Sequence, residues 1–417
     1  MPISQPTHCA APQRGLGSGT RAHLASYQIL DLWHRHPCIG VRLLLCYGCW
    51  GKLERIGDCK MERIKGIFLK LTAIAAVFFV AGFAAIQLES VQDWMLLRIF
   101  SSTTVDSGAP AEPDALSASV CGSRSPLPDP NRAEACVLVE AGERLFVVDV
   151  GDGSVARLRQ WTTPFNKIEA VLLTHLHSDH ISDLGDVHLA TWVLQDRVAK
   201  LPVYGPAGVE QVTAGFEMAF GIDYGLRNAH HGDSIAPLNV AGYDPRPIDN
   251  EALTLIDDGD LKVSAFLVDH PPIVPAYGYR FDYKGRSLVI SGDTNKSQAM
   301  VDNSRGVDVL FHEAQSNGML DIMIAASQAI SENKRAQLFE DIQTYHTTPV
   351  EAAEVANEAG VKHLVFYHLT PSPRNSVMAD RLLRGVKDVR PNNWTLSVDG
   401  TKVTLPIGSD EIVVGMH

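Results

Sequence analysis

The sequence predicts a mixed α/β fold with its chemistry at strand ends, on three observations. Apolar, strand-like runs alternate with helix-like runs through the larger part of the chain. Several of those runs stop at a histidine or an aspartate. The 417 residues, 45% of them hydrophobic, are enough to bury a substantial core.

In chain order, residues 1–60 stand apart. They hold Cys9, Cys38, Cys46, Cys49 and Cys59, with Trp33, Trp50 and no periodicity. Cys46-Tyr47-Gly48-Cys49 is half of a zinc-knuckle pattern. The segment precedes what reads as a complete signal or anchor with its own methionine, so residues 1–60 are expected to be a mis-called, unstructured extension and Met61 the natural start.

Residues 61–100 read as that anchor. Leu71–Ile86 is uncharged over 16 residues, at the border between a signal-peptide core and a short membrane span. With Lys70 snorkelling, a membrane contact over residues 64–88 becomes feasible. An uncleaved anchor is the expectation; a removed signal and a buried core helix are the alternatives. Arg63, Lys65 and Lys70 precede the run, whereas Glu89 and Asp93 follow it. The positive flank stays cytoplasmic, which puts the rest of the chain outside the cytoplasm, in a periplasm if the source is Gram-negative. Val91–Phe100 reads as a membrane-surface helix, and residues 101–115, rich in Ser, Thr, Pro and Gly, as a linker.

Residues 116–417 form the predicted catalytic domain. Cys121 and Cys136 flank a proline-rich turn beside two strand candidates. In an oxidising compartment they could pair; two buried thiols are the alternative. Further on, Ala170-Val171-Leu172-Leu173 reads as a buried strand and runs into His175-Leu176-His177-Ser178-Asp179-His180. His175 and His177 alternate along an extended backbone and point the same way. Asp179 and His180, one turn on, reach a second ion beside the first. Imidazole suits zinc, and carboxylate completes a hydrolytic site.

Three later strands each deliver one more ligand at the C-terminal end, where α/β sheets place their chemistry. Val263–Val268 leads to His270, Ser287–Ile290 to Asp293, and Lys362–Tyr367 to His368. The set is His175, His177 and His270 for one metal and Asp179, His180 and His368 for another, with Asp293 between them. Pro349 to Gly360 is a helix with proline at its start and glycine at its stop.

These motifs, from about Leu116 to about Pro406, resemble the metallo-β-lactamase superfamily of hydrolases. Ser123-Arg124-Ser125-Pro126-Leu127-Pro128, Asp308–Ala314 and Tyr345-His346-Thr347-Thr348-Pro349 make the chain most similar to its ribonuclease Z and arylsulfatase-like branch. The resemblance implies a four-layer αββα sandwich. It also implies two Zn2+ ions, with iron or manganese as alternatives, on the seven ligands, Asp293 bridging. Glu313 and His346 fall on loops that assist the leaving group, and Asp149 on a position that orients a ligand histidine. Enzymes of this kind are often dimers, so a homodimer is possible. Two departures stand out: Ser182-Asp183 where glycine is usual, and no long inserted arm for gripping tRNA.

The chemistry so implied is hydrolysis by a metal-bridging hydroxide, with Asp179, His346 and Glu313 in catalytic positions. A phosphodiester or sulfate ester is the expected bond. A lactone or β-lactam hydrolase, or a non-hydrolytic iron-binding redox protein, is the alternative. A net charge of −12 and the lack of a basic run in the catalytic region argue against nucleic acid and for a small ester. His230, His231 and Tyr224 are candidates for the substrate pocket, because their segment lies where this superfamily varies its loops. Tyr277 and Tyr279 are expected in the core. His188, His312 and His363 are expected to be structural, and Asp183 either supports a ligand or starts a helix.

Overall fold

The computed structural model describes residues 50–103, 114–193, 197–249 and 252–417. They fall into two compact units divided between Ser107 and Gly108.

The first unit is helical, with α1 (Trp50–Ile86) followed by α2 (Glu89–Thr103). Within Met61–Ile86 an 18-residue stretch reaches a mean hydropathy of 2.2, and the helix is long and apolar enough to cross a membrane. Its apolar side chains, Phe68, Phe78 and Phe79 among them, are exposed. The expectation of an unstructured segment up to residue 60 is corrected in its last part. No proline interrupts residues 50–60, and the helix passes unbroken through Met61. Residues 1–49 and 104–113, with the half-knuckle and most of the expected linker, lie outside the described residues.

The second unit begins with β1 (Ala115–Gly122), β2 (Cys136–Ala141) and β3 (Arg144–Val148), then α3 (Ser154–Gln160) and β4 (Ile168–Leu172). Next come α4 (Ser178–Ile181), α5 (Leu184–Val193), β5 (Leu201–Pro206), α6 (Val209–His231) and β6 (Tyr243–Ile248). A second run holds β7 (Ala252–Asp257), β8 (Leu261–Val268), β9 (Ala276–Tyr283), β10 (Arg286–Ile290), α7 (Gln298–Asn303) and β11 (Val309–Gln315). It continues through α8 (Asn317–Ala329), α9 (Asn333–Asp341), α10 (Pro349–Glu358), β12 (His363–Thr370), α11 (Ser376–Leu382), α12 (Val386–Val389) and β13 (Trp394–Leu396). The last strands are β14 (Thr401–Pro406) and β15 (Val413–Met416).

One sheet has the order β15-β14-β1-β2-β3-β4-β5-β6 and the other β13-β12-β11-β10-β9-β8-β7. Their inner faces meet in a core that includes Phe146, Tyr279, Phe281, Phe311 and Tyr367. On the outer face of the first sheet, Val155, Leu158, Leu184, Val187 and Val209 of α3, α5 and α6 complete a second core. Met300, Ala352, Val355, Ala356 and Leu382 of α7, α10 and α11 do the same for the second sheet. The result is the expected helix–sheet–sheet–helix layering.

Local chemistry explains the element ends. Pro349 opens α10, and Thr348 and Glu351 close a reciprocal capping box around its first turn. Asp183 starts a helix, one of the two readings open for it: it directly precedes α5, its carbonyl accepts from the Val187 N–H at 3.0 Å, and its Oδ2 accepts from the Val155 N–H at 3.0 Å in the first turn of α3. Cys121 and Cys136 are joined in a disulfide between β1 and β2, which resolves that alternative.

Strands β3 to β6 run parallel, as do β10 to β13, and β8 points the same way as β10. The loops after β4, β8 and β10 and the end of β12 carry the predicted ligands, and the loop after β3 carries Asp149.

Candidate metal centre

Each ligand is placed by a specific backbone device. His175 to His180 follow β4, whose end is held across the sandwich by the Tyr279 hydroxyl donating to the Leu173 carbonyl at 2.6 Å. Asp293 follows Gly292, which has φ 61°; a Cβ there would lie 2.8 Å from Thr174 Cβ. Gly151 lets the loop after β3 approach the Asp179 carbonyl, where a Cβ would come within 2.1 Å. His368 is the extra residue of a β-bulge: Tyr367 pairs with Glu313 and Leu369 with Ala314, and His368 takes φ 44°. Bulges re-aim side chains in this way.

Ligand atoms of His175, His177, His270 and Asp293 converge within 4.8 Å of one another, and those of Asp179, His180 and His368 form a second such group. Asp293 joins the two, with Oδ2 3.4 Å from His180 Nε2 and 3.9 Å from His175 Nε2, and Oδ1 3.2 Å from His368 Nδ1. Asp179 Oδ2 lies 3.2 Å from His368 Nε2 and 3.5 Å from His180 Nε2. All seven predicted residues are therefore brought together.

The surroundings aim the rings. Asp149 Oδ2 accepts from His180 Nδ1 at 2.8 Å, and Asp149 is itself held by the Thr174 N–H and hydroxyl, each at 2.8 Å. His270 Nδ1 donates to the Tyr345 carbonyl at 3.0 Å, a partner that gave no signal in the sequence. Both contacts leave Nε2 pointing inward.

Among the described residues, buried His180 Nε2, His270 Nε2, His368 Nδ1 and Asp293 Oδ1 have no hydrogen-bond partner. Orphaned polar atoms of this kind are costly, and four aimed at one spot, among two carboxylates, fit cations. Burial, reinforced by the charge of His180, pushes the His175 imidazole well below its ordinary range, and burial lowers His177 and His270 too. The neutral imidazole is the metal-binding form. At His180 burial opposes the charge, but Asp293, Asp149 and Asp179 outweigh it and raise the pKa.

Glu313 and His346 stand at the edge of this cluster. Glu313 is fully buried, and its Oε1 accepts from the Thr294 N–H at 3.1 Å, the Thr347 N–H at 3.3 Å and His346 Nδ1 at 2.8 Å. Burial works against a charge on His346, but the Glu313 carboxylate, with Asp293 and Asp179 behind it, raises its pKa to about 9. His346, Asp179, Asp293, His368, Ser125 and Tyr345 line a cleft of about 250 Å³ over the cluster.

The three low-lying pocket candidates are corrected. Tyr224 is buried against Trp192 and His188, and His188 Nδ1 donates to its hydroxyl at 3.3 Å. His230 and His231 are exposed at the C-terminal end of α6, in the outer helical layer. None of them lines the cleft. Their loop-like segment is one continuous helix, so its polar residues follow helix faces and not a pocket wall.

A model of the β-lactamase superfamily domain matches residues 144–369. A ribonuclease Z of Mycobacterium bovis (strain BCG / Pasteur 1173P2) is 37% identical over 262 residues, covering 62% of this chain and 87% of the relative. A ribonuclease Z of Mycolicibacterium gilvum is 34% identical over 259 residues, with coverage of 60% and 83%. Among solved structures, the short form of human tRNase Z has a TM-score of 0.52 at 19% identity, and the metallo-β-lactamase fold protein YhfI of Bacillus subtilis a TM-score of 0.51 at 20% identity. Each aligns with 70% of this chain and all of its own, and each supports the fold. The chain belongs to the metallo-β-lactamase superfamily, on its ribonuclease Z-like branch. It is a metal-dependent hydrolase.

These relatives overturn one expectation. The net charge of the whole chain points away from nucleic acid, yet the curated relatives are named for acting on RNA. Net charge averages over a surface, and a strand of RNA meets only the part around the cleft. The arylsulfatase-like side of the expectation gains no support from these relatives.

Proposed function

We propose that the catalytic domain hydrolyses RNA phosphodiesters at a pair of zinc ions. The observation that carries this reading is the seven-residue ligand cluster with a Glu313–His346 pair at its rim. Such a pair suits a reaction with a poor leaving group. The identity to ribonuclease Z relatives supports RNA as the polymer.

When bound, the two metals supply Lewis acidity and a water made nucleophilic at neutral pH. Everything else is the work of the side chains. Asp149 fixes the tautomer and direction of His180, and the Tyr345 carbonyl does so for His270. Glu313, pinned by two backbone N–H groups, holds His346 by Nδ1 and keeps it protonated near neutral pH. The His346 Nε2–H is then available to the oxygen leaving phosphorus as the P–O bond breaks. Solvent returns the proton.

The helix Met61–Ile86 supports membrane attachment of this activity, either as a retained anchor or as a signal. Resistance of the native protein to alkaline extraction from membranes is the outcome expected of an anchor, and its release would remove that reading.

The direct test of the function is metal analysis of protein purified without added metal, alongside turnover of a 3′-extended RNA, bis(p-nitrophenyl) phosphate, an aryl sulfate, a lactone and a β-lactam. About two zincs with cleavage of both diesters is expected. Iron with no hydrolysis, or hydrolysis of the lactone or β-lactam alone, refutes it.

A further inference from the structure

Beside the metal cleft lies a larger groove of about 810 Å³, and Leu127 and Leu338 line both. The two cavities adjoin at these side chains. Its floor is aliphatic and thioether, with Met323, Leu338 and Val377 exposed or partly so. Its charged lining is Arg335 from α9, Arg374 from the loop after β12 and Arg381 from α11, and no carboxylate lines it. Arg335 has a loose ion pair, 4.0 Å from the exposed Glu332. Arg374 donates to the Pro128 carbonyl. The Arg381 guanidinium packs over Gly318 at the start of α8, close enough that a Cβ there would lie 1.9 Å from Nη2. Among the described residues neither Arg374 nor Arg381 forms an ion pair.

We propose that this groove is a subsite for single-stranded RNA next to the scissile bond, with Arg335, Arg374 and Arg381 holding successive phosphates over an apolar floor. The inference rests on the RNA phosphodiesterase reading and adds where the strand lies. In a chain of net charge −12, three guanidiniums facing one cavity without a lining carboxylate make a local positive field. Guanidinium is the side chain best suited to phosphate oxygens. A single-headed amphiphile would use the floor but needs one cation; a strand of repeated phosphates uses three. No aromatic ring is exposed on the floor, so bases rest on it without stacking on an aromatic face, and the subsite reads no particular base.

The test compares the full chain with the triple variant Arg335→Gln/Arg374→Gln/Arg381→Gln. Binding of a short fluorescent single-stranded RNA is followed by anisotropy across a salt series, with dodecyl phosphate as the single-headed alternative. Turnover of RNA and of bis(p-nitrophenyl) phosphate is measured in parallel. The triple variant should bind RNA about tenfold or more weakly, and the slope of log affinity against log salt should flatten by about two, from three lost contacts on a single strand. The ratio of RNA to chromogenic-diester kcat/KM should fall by a similar factor, and oligomers of different sequence should respond alike. The subsite is overturned if wild type does not bind the RNA, if the triple variant binds it with the same affinity and salt slope, or if the variant loses dodecyl phosphate while keeping RNA. Should the triple variant melt early, the exposed Arg335→Gln alone is expected to remove about one third of the salt effect. Failure of the function itself looks different: wild type then cleaves neither diester.

Discussion

His180 and His188 are both buried, one at the start and the other in the middle of neighbouring helices, and they serve opposite ends. His188 has both ring nitrogens satisfied, Nδ1 by the Tyr224 hydroxyl and Nε2 by the Gly242 N–H at 2.6 Å. It packs against Trp192 and Tyr224 of a small satellite core and against Tyr243 of the neighbouring one. His180 has Nδ1 satisfied by Asp149 and Nε2 left open, facing Asp179 and Asp293. The difference is one missing partner, and it separates a side chain that holds the fold from one placed to hold a cation. A single orphan is not sufficient. His312 Nε2 is also buried without a partner, but it belongs to none of the ligand groups. Several open atoms on one spot make the distinction.

The sharpest way to break this comparison is to remove the residue that joins both halves of the cluster. Asp293→Ala should lower turnover by at least about 10³-fold, since several kcal/mol of metal-derived stabilisation is lost, and plasma mass spectrometry should find less than two metals per chain. Full metal content with normal turnover would end the argument.

His346→Ala separates chemistry from metal binding: kcat should fall about 10²- to 10⁴-fold while metal content stays unchanged. Loss of metal in that variant would make His346 a ligand and not a proton donor. Asp149→Ala should leave the ligands in place but badly aimed, weakening metal about 10- to 100-fold against a competing chelator. An unaltered affinity would show that His180 needs no help.

His188→Asn is the matched control. It should keep its metal and cost about 1–3 kcal/mol of stability. Burial, with the charges of Arg197 and Lys200, lowers the His188 pKa to about 4, below its unfolded value near 6.5. Above pH 6.5 both states are neutral and the group contributes no pH dependence. As pH falls from 6.5 towards 4 the unfolded chain takes up a proton that the native state refuses, so stability drops by about 3 kcal/mol in total and then levels off. Denaturant titrations should show a shallower slope in His188→Asn than in wild type, the remainder coming from His363, which burial also lowers to about 4, and from the other buried histidines. The smallest effect belongs to Thr348→Ala, which removes a capping box for about 1 kcal/mol; no shift in the unfolding midpoint would mean α10 is fixed by packing alone.

Much of this was legible in the sequence because ligands sit where apolar runs end. His175 to His180, His270, Asp293 and His368 each follow a run of three or more apolar residues, and strand ends meet at one edge of the sandwich. The bulge that aims His368 and the carbonyl of Tyr345 that aims His270 left no mark, since backbone geometry has no residue code. Tyr224 lies in a stretch rich in Gly and polar residues that looks like a loop, but it falls on the buried face of α6 and packs with Trp192. The arginine groove was invisible for a different reason. Its three charges come from separate elements, so no window of sequence contains a basic run.

The ligands are also divided between the sheets: His175, His177, Asp179 and His180 follow β4 of one, whereas His270, Asp293 and His368 come from the other. Metal bound there would stitch two layers at their shared edge, like a clasp at the mouth of a purse. A chain severed between Ile248 and Ala252 would yield fragments that each carry half a clasp, and neither should retain its metals until the pieces reassemble.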